Sequence, residues 1–357
     1  MPVRRVSSHH RGDPRRGGGL TVRPFDYARA SSVPEALELA AARPGAVFIA
    51  GGSDVLALWK DAASAPPAVI DISRLPLGAI EVDAGGIAIG ALARMADVAD
   101  HPAIRRDAPA IAQALLASAS PQLRNAATIG GNLLQRTRCG YFRTPGFACN
   151  KRAAGSGCAA LGSDDRRLAM FGASEHCVAT HASDLAVALV ALDASVELCG
   201  PDGSRSVAIE HLYLAPGERP DRETTLSPGE LMTRIRVPCG ALAQRSRYLK
   251  VRDRASFDFA VVSVAAALHI AGDEVREVRL AAGGVGTTPW RLSGSEQALV
   301  GARPTDLGDP GVAAAAARAT DGARPLGGNG FKLELLRRCV RRVLAELIER
   351  IGHEEVA

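Results

Sequence analysis

Two glycine pairs constrain this chain more than any other feature: Gly51-Gly52 within "AVFIAGGSDVLALWK" (46–60) and Gly130-Gly131 within "AATIGGNLLQ" (126–135). Glycine lets the main chain approach a neighbour closely and adopt conformations that other residues resist, so that successive N–H groups can face one anion. The first pair follows a short apolar run of buried-strand type (46–50) and precedes the helical "VLALWKDAA" (55–63). A second strand, "AVIDIS" (68–73), comes next. This is a β–loop–α–β unit, the local geometry of a nucleotide-binding turn. Two such loops in one α/β region could clasp a pyrophosphate from both sides, although two plain turns account for the pattern equally well. Neither matches G-x-G-x-x-G, and no G-x-x-x-x-G-K-[ST] occurs, which disfavours the Rossmann and P-loop solutions.

Composition narrows the classes. The chain has 357 residues, 47% apolar and only 4% aromatic, enough for two or three domains with sizeable cores. No run of eighteen apolar residues exists, so no membrane insertion is expected. The net charge of +5 suggests nucleic acid until it is located: residues 1–19 hold five Arg against one Asp, leaving about +1 for the rest. No nucleic acid is therefore expected as a partner. Residues 1–21 read as a disordered basic tail, and their arginine pairs precede no hydrophobic stretch of the signal-peptide kind.

Three units follow the tail. In the first, 22–77, Ser32 and Glu35 mark a capping box for a helix over 34–42. The second, 78–240, reads as paired strands, a helix over 102–120, the second Gly-Gly loop, a long excursion over 136–180, then a helix and a hairpin turning at Pro201-Asp202-Gly203. Asp184, ahead of that helix, reads as its N-cap, and Asp164 and Asp165 as solvated loop charges. The third, 241–357, reads as alternating strands turning at Ala271-Gly272-Asp273 and an amphipathic helix over 331–352. That helix carries Leu333, Leu336, Val340, Val343, Leu347 and Ile351 on one face and arginines in solvent.

The excursion holds four of the seven cysteines, Cys139, Cys149, Cys158 and Cys177, spaced C-x9-C-x8-C-x18-C. Cys199, Cys239 and Cys339 stand singly among apolar residues and read as buried thiols. Chance thiols are a poor account of the four, because free thiols belong in cores and this stretch is polar. A structural zinc site usually has a tight C-x2–4-C pair, and none is present. A [4Fe–4S] cluster accepts wide spacing, since each sulfur ligates a different iron, and nearby cations favour thiolates. The cluster is the best of the three on chemistry; spacing alone does not settle it. No G-x-S-x-G and no two-histidine zinc motif occurs.

"FIAGGSDVLALWK", "QLRNAATIGGNLLQ", "SDLAVALVALDA", "KVRDRASFDFAVVS" and "GGVGTTPWR", in this order, resemble the FAD-binding medium subunits of the xanthine dehydrogenase (molybdenum hydroxylase) family over roughly residues 22–350. "ATIGGNLLQRTRC", with the cysteines that follow, resembles the subgroup whose subunit carries an additional [4Fe–4S] cluster, as in aldehyde oxidoreductases. The flavin subunits of carbon monoxide dehydrogenase and ordinary xanthine dehydrogenase lack these cysteines. The resemblance implies an α+β protein: a vanillyl-alcohol-oxidase-like FAD-binding fold of two α/β subdomains, plus a C-terminal domain with a small antiparallel sheet and helices. It implies that Ala50, Gly51, Gly52, Ser53 and Asp54, with Thr128, Ile129, Gly130, Gly131 and Asn132, hold the FAD pyrophosphate. Asp184 and Lys250 would lie near the flavin, and the four cysteines would bind the cluster. The implied partners are a molybdenum-cofactor large subunit, a [2Fe–2S] small subunit and an external electron acceptor. The complex would be cytoplasmic, or periplasmic by co-export with a partner. The alternatives are a 4-hydroxybenzoyl-CoA reductase-like or xanthine dehydrogenase-like flavin subunit, or a nucleotide-binding subunit with a zinc-braced loop.

Overall fold

The computed structural model describes residues 4–6, 24–303 and 310–354. The first unit comprises β1 (Arg4–Val6), β2 (Phe25–Arg29), α1 (Val33–Ala41), β3 (Val47–Ile49), α2 (Val55–Lys60) and β4 (Ala68–Asp71). Its sheet runs β1-β2-β4-β3, with β2 and β3 parallel to β4. The tail expected to be disordered is corrected at Arg4–Val6, which pair antiparallel with Phe25–Tyr27; the rest of residues 1–21 lies outside the described residues. Ser32 caps α1, its hydroxyl accepting from Glu35 N at 3.2 Å, but the Glu35 carboxylate returns to Ser31 N rather than Ser32.

Asp71 closes this sheet. Its carboxylate accepts from Tyr27 OH at 2.6 Å, Arg29 Nε at 2.8 Å and Ser73 N at 2.9 Å. Burial alone would raise this carboxyl; the hydrogen bonds from Tyr27, Ser73 and Arg29 outweigh burial and hold it at about 2. A depressed pKa means stability that is fully present above the unfolded value and lost as pH falls towards 2. Asp71→Asn is therefore expected to cost about 1–2 kcal/mol at neutral pH, allowing for solvent screening. Urea midpoints should converge with wild type as pH is lowered from 4 towards 2. A gap that stays constant with pH would refute the assignment.

The second unit comprises β5 (Ile80–Asp83), β6 (Gly86–Gly90), α3 (Met95–Asp100), α4 (Pro102–Asp107), α5 (Pro109–Ala117), α6 (Pro121–Arg124), α7 (Ile129–Leu133), α8 (Gly140–Arg143), α9 (Asp184–Ala191), β7 (Ser195–Gly200), β8 (Gly203–Ala208) and β9 (Leu231–Val237). Its antiparallel sheet runs β5-β6-β9-β7-β8. The single helix expected over 102–120 is two: Ala108, at φ −150° and ψ 57°, breaks it ahead of Pro109, because the proline ring disfavours a helical residue before it. α9 is buried along its whole length, with Ile87, Ile89, Ile111 and Leu115 in the same core.

The third unit comprises α10 (Ala241–Gln244), β10 (Ser246–Val251), β11 (Val262–Ala271), β12 (Glu274–Gly283), β13 (Trp290–Arg291), α11 (Ser293–Leu299), α12 (Pro310–Arg318) and α13 (Phe331–Glu354). Its antiparallel sheet runs β10-β11-β12-β13. The hairpin turns at Gly272-Asp273 with Gly272 at φ +65°, as the sequence implied. α13 lays Leu336, Val340, Val343 and Leu347 on this sheet; the Ile351 side chain lies outside those described. Lys332 departs from the helix's solvated polar face: it is fully buried, donating to Leu168 O at 3.0 Å and Gly284 O at 2.8 Å.

Three further expectations are corrected. Of the single cysteines only Cys339 is buried; Cys239 is exposed, and Cys199 shares the outward face of β7 with Glu197. Asp165 is buried, not solvated, because its carboxylate accepts from Gly328 N at 2.7 Å. Ser183, not Asp184, caps α9, accepting from Ala186 N at 3.0 Å.

Candidate cofactor site

The two glycine loops meet. A Cβ built on Gly51 would stand 2.1 Å from Ala126 O and 3.0 Å from Ala127 Cα, so only glycine lets the first loop lie against the strand-like entry to the second. Gly52 takes φ +72°, the left-handed conformation that turns the chain into α2. In the second loop Thr128 caps α7, its hydroxyl accepting from Gly131 N at 3.3 Å. Gly130 sits against the Ala91 backbone, where a Cβ would come within 3.1 Å of Ala91 O.

Between the loops lies a cavity of about 330 Å³, lined by Ala50–Asp54, Thr128, Gly130 and Gly131, with Phe48, Ile72, Leu92, Arg136 and Leu231–Met232 around them. A second cavity of about 280 Å³ shares Ser53, Asp54 and Gly131 with the first and extends to Asn132, Ser118, Asp184, Arg138 and the loop Arg254–Phe259. The two cavities adjoin at Ser53, Asp54 and Gly131, and both are lined mainly by apolar surface, with Asp184, Ser118 and Arg138 at the far end of the second. Not every expected residue faces this space. Ile129 is buried in the second unit's core. Asn132, although largely buried, does reach the wall of the second cavity, where its Oδ1 accepts from Ser183 Oγ at 2.6 Å.

Asp54 is an acid where an anion was expected to bind, and its charge is already matched. Its carboxylate pairs with Arg138 at 2.8 Å and Arg143 at 2.9 Å and accepts from Arg136 N at 2.9 Å. It thus ties the first glycine loop to the root of the cysteine excursion. At the far end Asp184, 5% exposed, accepts from Tyr248 OH at 2.5 Å, Ser118 Oγ at 2.8 Å and Lys250 Nζ at 2.8 Å. Burial and the adjacent Asp184 push the Tyr248 hydroxyl well above its ordinary value, so it stays a proton donor. Lys250 lines neither cavity; it supports Asp184 from behind and also donates to Ala117 O at 3.1 Å. Sequence reasoning missed Tyr248 and Ser118. Tyr248 was findable, because residues two apart on a strand share a face and Lys250 was already singled out.

The excursion builds a small core of its own. Cys139, Cys149 and Cys177 are buried with Phe142, Ala160, Leu168 and Val178, and the core borrows Leu58 and Ala63 from the first unit. Its neck is closed by Thr137 Oγ1 donating to Thr180 O at 2.8 Å. Cys149 and Cys158 face each other in an antiparallel bridge, and all four cysteines line one small cavity. Main-chain N–H groups of Phe142 and Tyr141 point at the Cys139 sulfur, and that of Ala179 at Cys177. Among the described residues no group of three or more His, Cys, Asp and Glu side chains is placed to hold a metal ion. A cluster with one iron per thiolate asks for four sulfurs around a common space, and the residues that line this one include four cysteines.

Beside this cavity and behind the second glycine loop is a third, of about 330 Å³, lined by Arg136, Lys151, His181, Tyr213, Glu223 and Thr287 among others. Burial alone would raise the Glu223 carboxyl; Arg136, at 2.5 Å, and Lys151, at 3.0 Å, overcome that and hold it below its usual value. Burial pushes the His181 imidazole down to about 4, so it is neutral at physiological pH.

A family model described as the FAD binding domain in molybdopterin dehydrogenase matches residues 23–240. The chain belongs to that family. A second model, the CO dehydrogenase flavoprotein C-terminal domain, matches residues 247–347 and so spans the third sheet. The α+β fold implied by the resemblance is borne out, and the chain is the flavoprotein component of a molybdenum hydroxylase-type oxidoreductase, with FAD as its cofactor. Among relatives, the aldehyde oxidoreductase FAD-binding subunit PaoB of Escherichia coli is 46% identical over 327 residues, 91% of this chain and 98% of PaoB. The glyceraldehyde dehydrogenase medium chain of Sulfolobus acidocaldarius is 29% identical over 283 residues, 79% of this chain and 83% of that one. Carbon monoxide dehydrogenase from Hydrogenophaga pseudoflava matches with a TM-score of 0.69 at 26% identity, covering 90% of this chain and 96% of its own. No helix among the described residues is long and apolar enough to cross a membrane.

Proposed function

We propose that this chain is the FAD- and [4Fe–4S]-binding electron-transfer subunit of a heterotrimeric molybdenum-dependent aldehyde oxidoreductase. The observation that carries the reading is the four-cysteine cavity built beside the FAD-binding loops and tied to them through Asp54. The aldehyde assignment rests on likeness to PaoB and to the glyceraldehyde dehydrogenase medium chain, whose names specify aldehyde substrates. In this reading a molybdenum-cofactor subunit oxidises the aldehyde, and a [2Fe–2S] subunit delivers the electrons to this chain for an external acceptor. Bound FAD supplies the ability to take up electrons singly and release them singly or in pairs.

The chain's own residues bind and orient. The division into 22–77, 78–240 and 241–357 sets the FAD between the first two units and against the third. Gly51, Gly52 and Ser53 offer main-chain N–H groups for the pyrophosphate, and Gly131 lines the same wall. Ala50, Thr128 and Asn132 shape the walls, while Ile129 acts from behind by fixing α7 in the core. Asp184, oriented by Tyr248, Ser118 and Lys250, presents a fixed hydrogen-bonding edge to the flavin end. Cys139, Cys149, Cys158 and Cys177 hold the cluster.

Anaerobic purification followed by assays for iron, acid-labile sulfide, zinc and flavin tests the reading. About four irons and four sulfides with one FAD per chain are expected. Cys177→Ser should lower the iron content to about three or fewer per cluster site while leaving flavin bound. Flavin without iron, or zinc in its place, would reject the cluster and leave the excursion a structural loop.

A further inference from the structure

Among the described residues lining the four-cysteine cavity, Lys151 carries the one fixed charge. Its side chain is 9% exposed, pairs with Glu223 at 3.0 Å and donates to Pro220 O at 3.3 Å. Lys151 also lines the third cavity, so it stands in the wall between the two. Glu223 comes from outside the excursion, and it is shared with Arg136, whose guanidinium lies 4.6 Å over the Phe142 ring behind the cysteines. His176, half-exposed and beside Glu175, and the Tyr141 phenol are the other ionisable groups on the cavity besides the thiols.

We propose that the Lys151–Glu223 pair sets the reduction potential of the cluster held by the four cysteines, Lys151 raising it and Glu223 restraining it. This rests on the [4Fe–4S] reading above. Reduction adds one electron to a site already ringed by four thiolates, with no bond made or broken. A nearly buried cation in the wall stabilises that added charge, and a partly buried carboxylate paired with it opposes it, because solvent screens both less than it would at the surface. Two opposed charges on separate chain segments let the host fold and the excursion each hold one control over the same potential.

The test is a redox titration of the complete complex, purified anaerobically, with dithionite as reductant and the cluster followed by electron paramagnetic resonance. Lys151→Met should lower the one-electron reduction constant about tenfold, equivalent to about 59 mV, and Glu223→Gln should raise it by a similar factor. Lys151→Arg should restore the wild-type value within a few-fold. The opposite signs are the discriminating result, since a bracing role would move both variants the same way or neither. If Lys151→Met loses its cluster, Glu223→Gln alone decides: an unchanged or lowered potential overturns the proposal. An iron-free wild-type complex overturns the cluster reading itself, a separate outcome read from iron content before any titration.

Discussion

Gly51→Ala is expected to weaken FAD binding by roughly ten- to a hundredfold. The added methyl would lie 2.1 Å from Ala126 O and 2.9 Å from the Ala126 carbonyl carbon, both main chain, so no side chain can rotate away. The loops must part, and forced displacement of this kind costs about 1–3 kcal/mol. That corresponds to FAD held roughly ten- to a hundredfold more weakly. Gly52→Ala is the control. Its left-handed conformation carries a cost of about 1–2 kcal/mol, but its methyl would meet Leu56 Cδ1 at 3.3 Å, a flexible side-chain end. It should therefore weaken FAD less. Flavin released per chain on denaturation, with binding titrations on the stripped protein, gives both numbers. Wild-type flavin content in the Gly51 variant would show that the loops do not meet as described.

The second large effect is expected at the Asp184–Lys250 pair. The two side chains are 6% and 3% exposed, and Asp184 carries three hydrogen bonds. Breaking a buried pair from one side leaves an uncompensated charge, so Lys250→Met or Asp184→Asn should each destabilise by about 3–5 kcal/mol. The double variant should recover much of that loss, because no orphaned charge remains. Chemical denaturation of the four proteins in a mutant cycle measures the coupling. Additive losses would mean that the pair does not act as a unit. Flavin retention should fall with Asp184→Asn in either case, since the carboxylate faces the far cavity while the lysine stands behind it.

The elements that the sequence displayed best are those governed by local rules. The hairpin at Pro201-Asp202 and the turn at Gly272-Asp273 follow from backbone conformations that few residues adopt, and the apolar stripe of α13 follows from helical period. The glycine loops could be located but not interpreted, because nothing local reveals that Gly51 is pressed against Ala126, seventy-five positions away. Asp54 illustrates the same limit: it stands in the expected loop, yet its partners Arg136, Arg138 and Arg143 lie across the fold. Asp184 was noticed for the wrong local reason, since a carboxylate before an apolar helix reads as a cap until Tyr248, Ser118 and Lys250 converge on it. Lys332 went unread and Asp165 was read as solvated, because burial of a charge is decided by tertiary packing alone.

The closed neck at Thr137 and Thr180 gives the excursion the form of a graft, a segment whose ends leave and rejoin the host at nearly one point. Insertions of that form are easy to acquire, because bringing the ends together distorts little of the surrounding fold. Shedding this one would be far harder. Without it Asp54 loses Arg136, Arg138 and Arg143 at its carboxylate, Glu223 loses Lys151, and the buried Lys332 ammonium loses the Leu168 carbonyl. Each leaves a desolvated polar group without its partner, a penalty of a few kcal/mol apiece. The host has come to depend on its insert for charge balance in all three units. Descendants of this chain would accordingly keep the excursion's frame even in a lineage that abandoned whatever its cysteines hold.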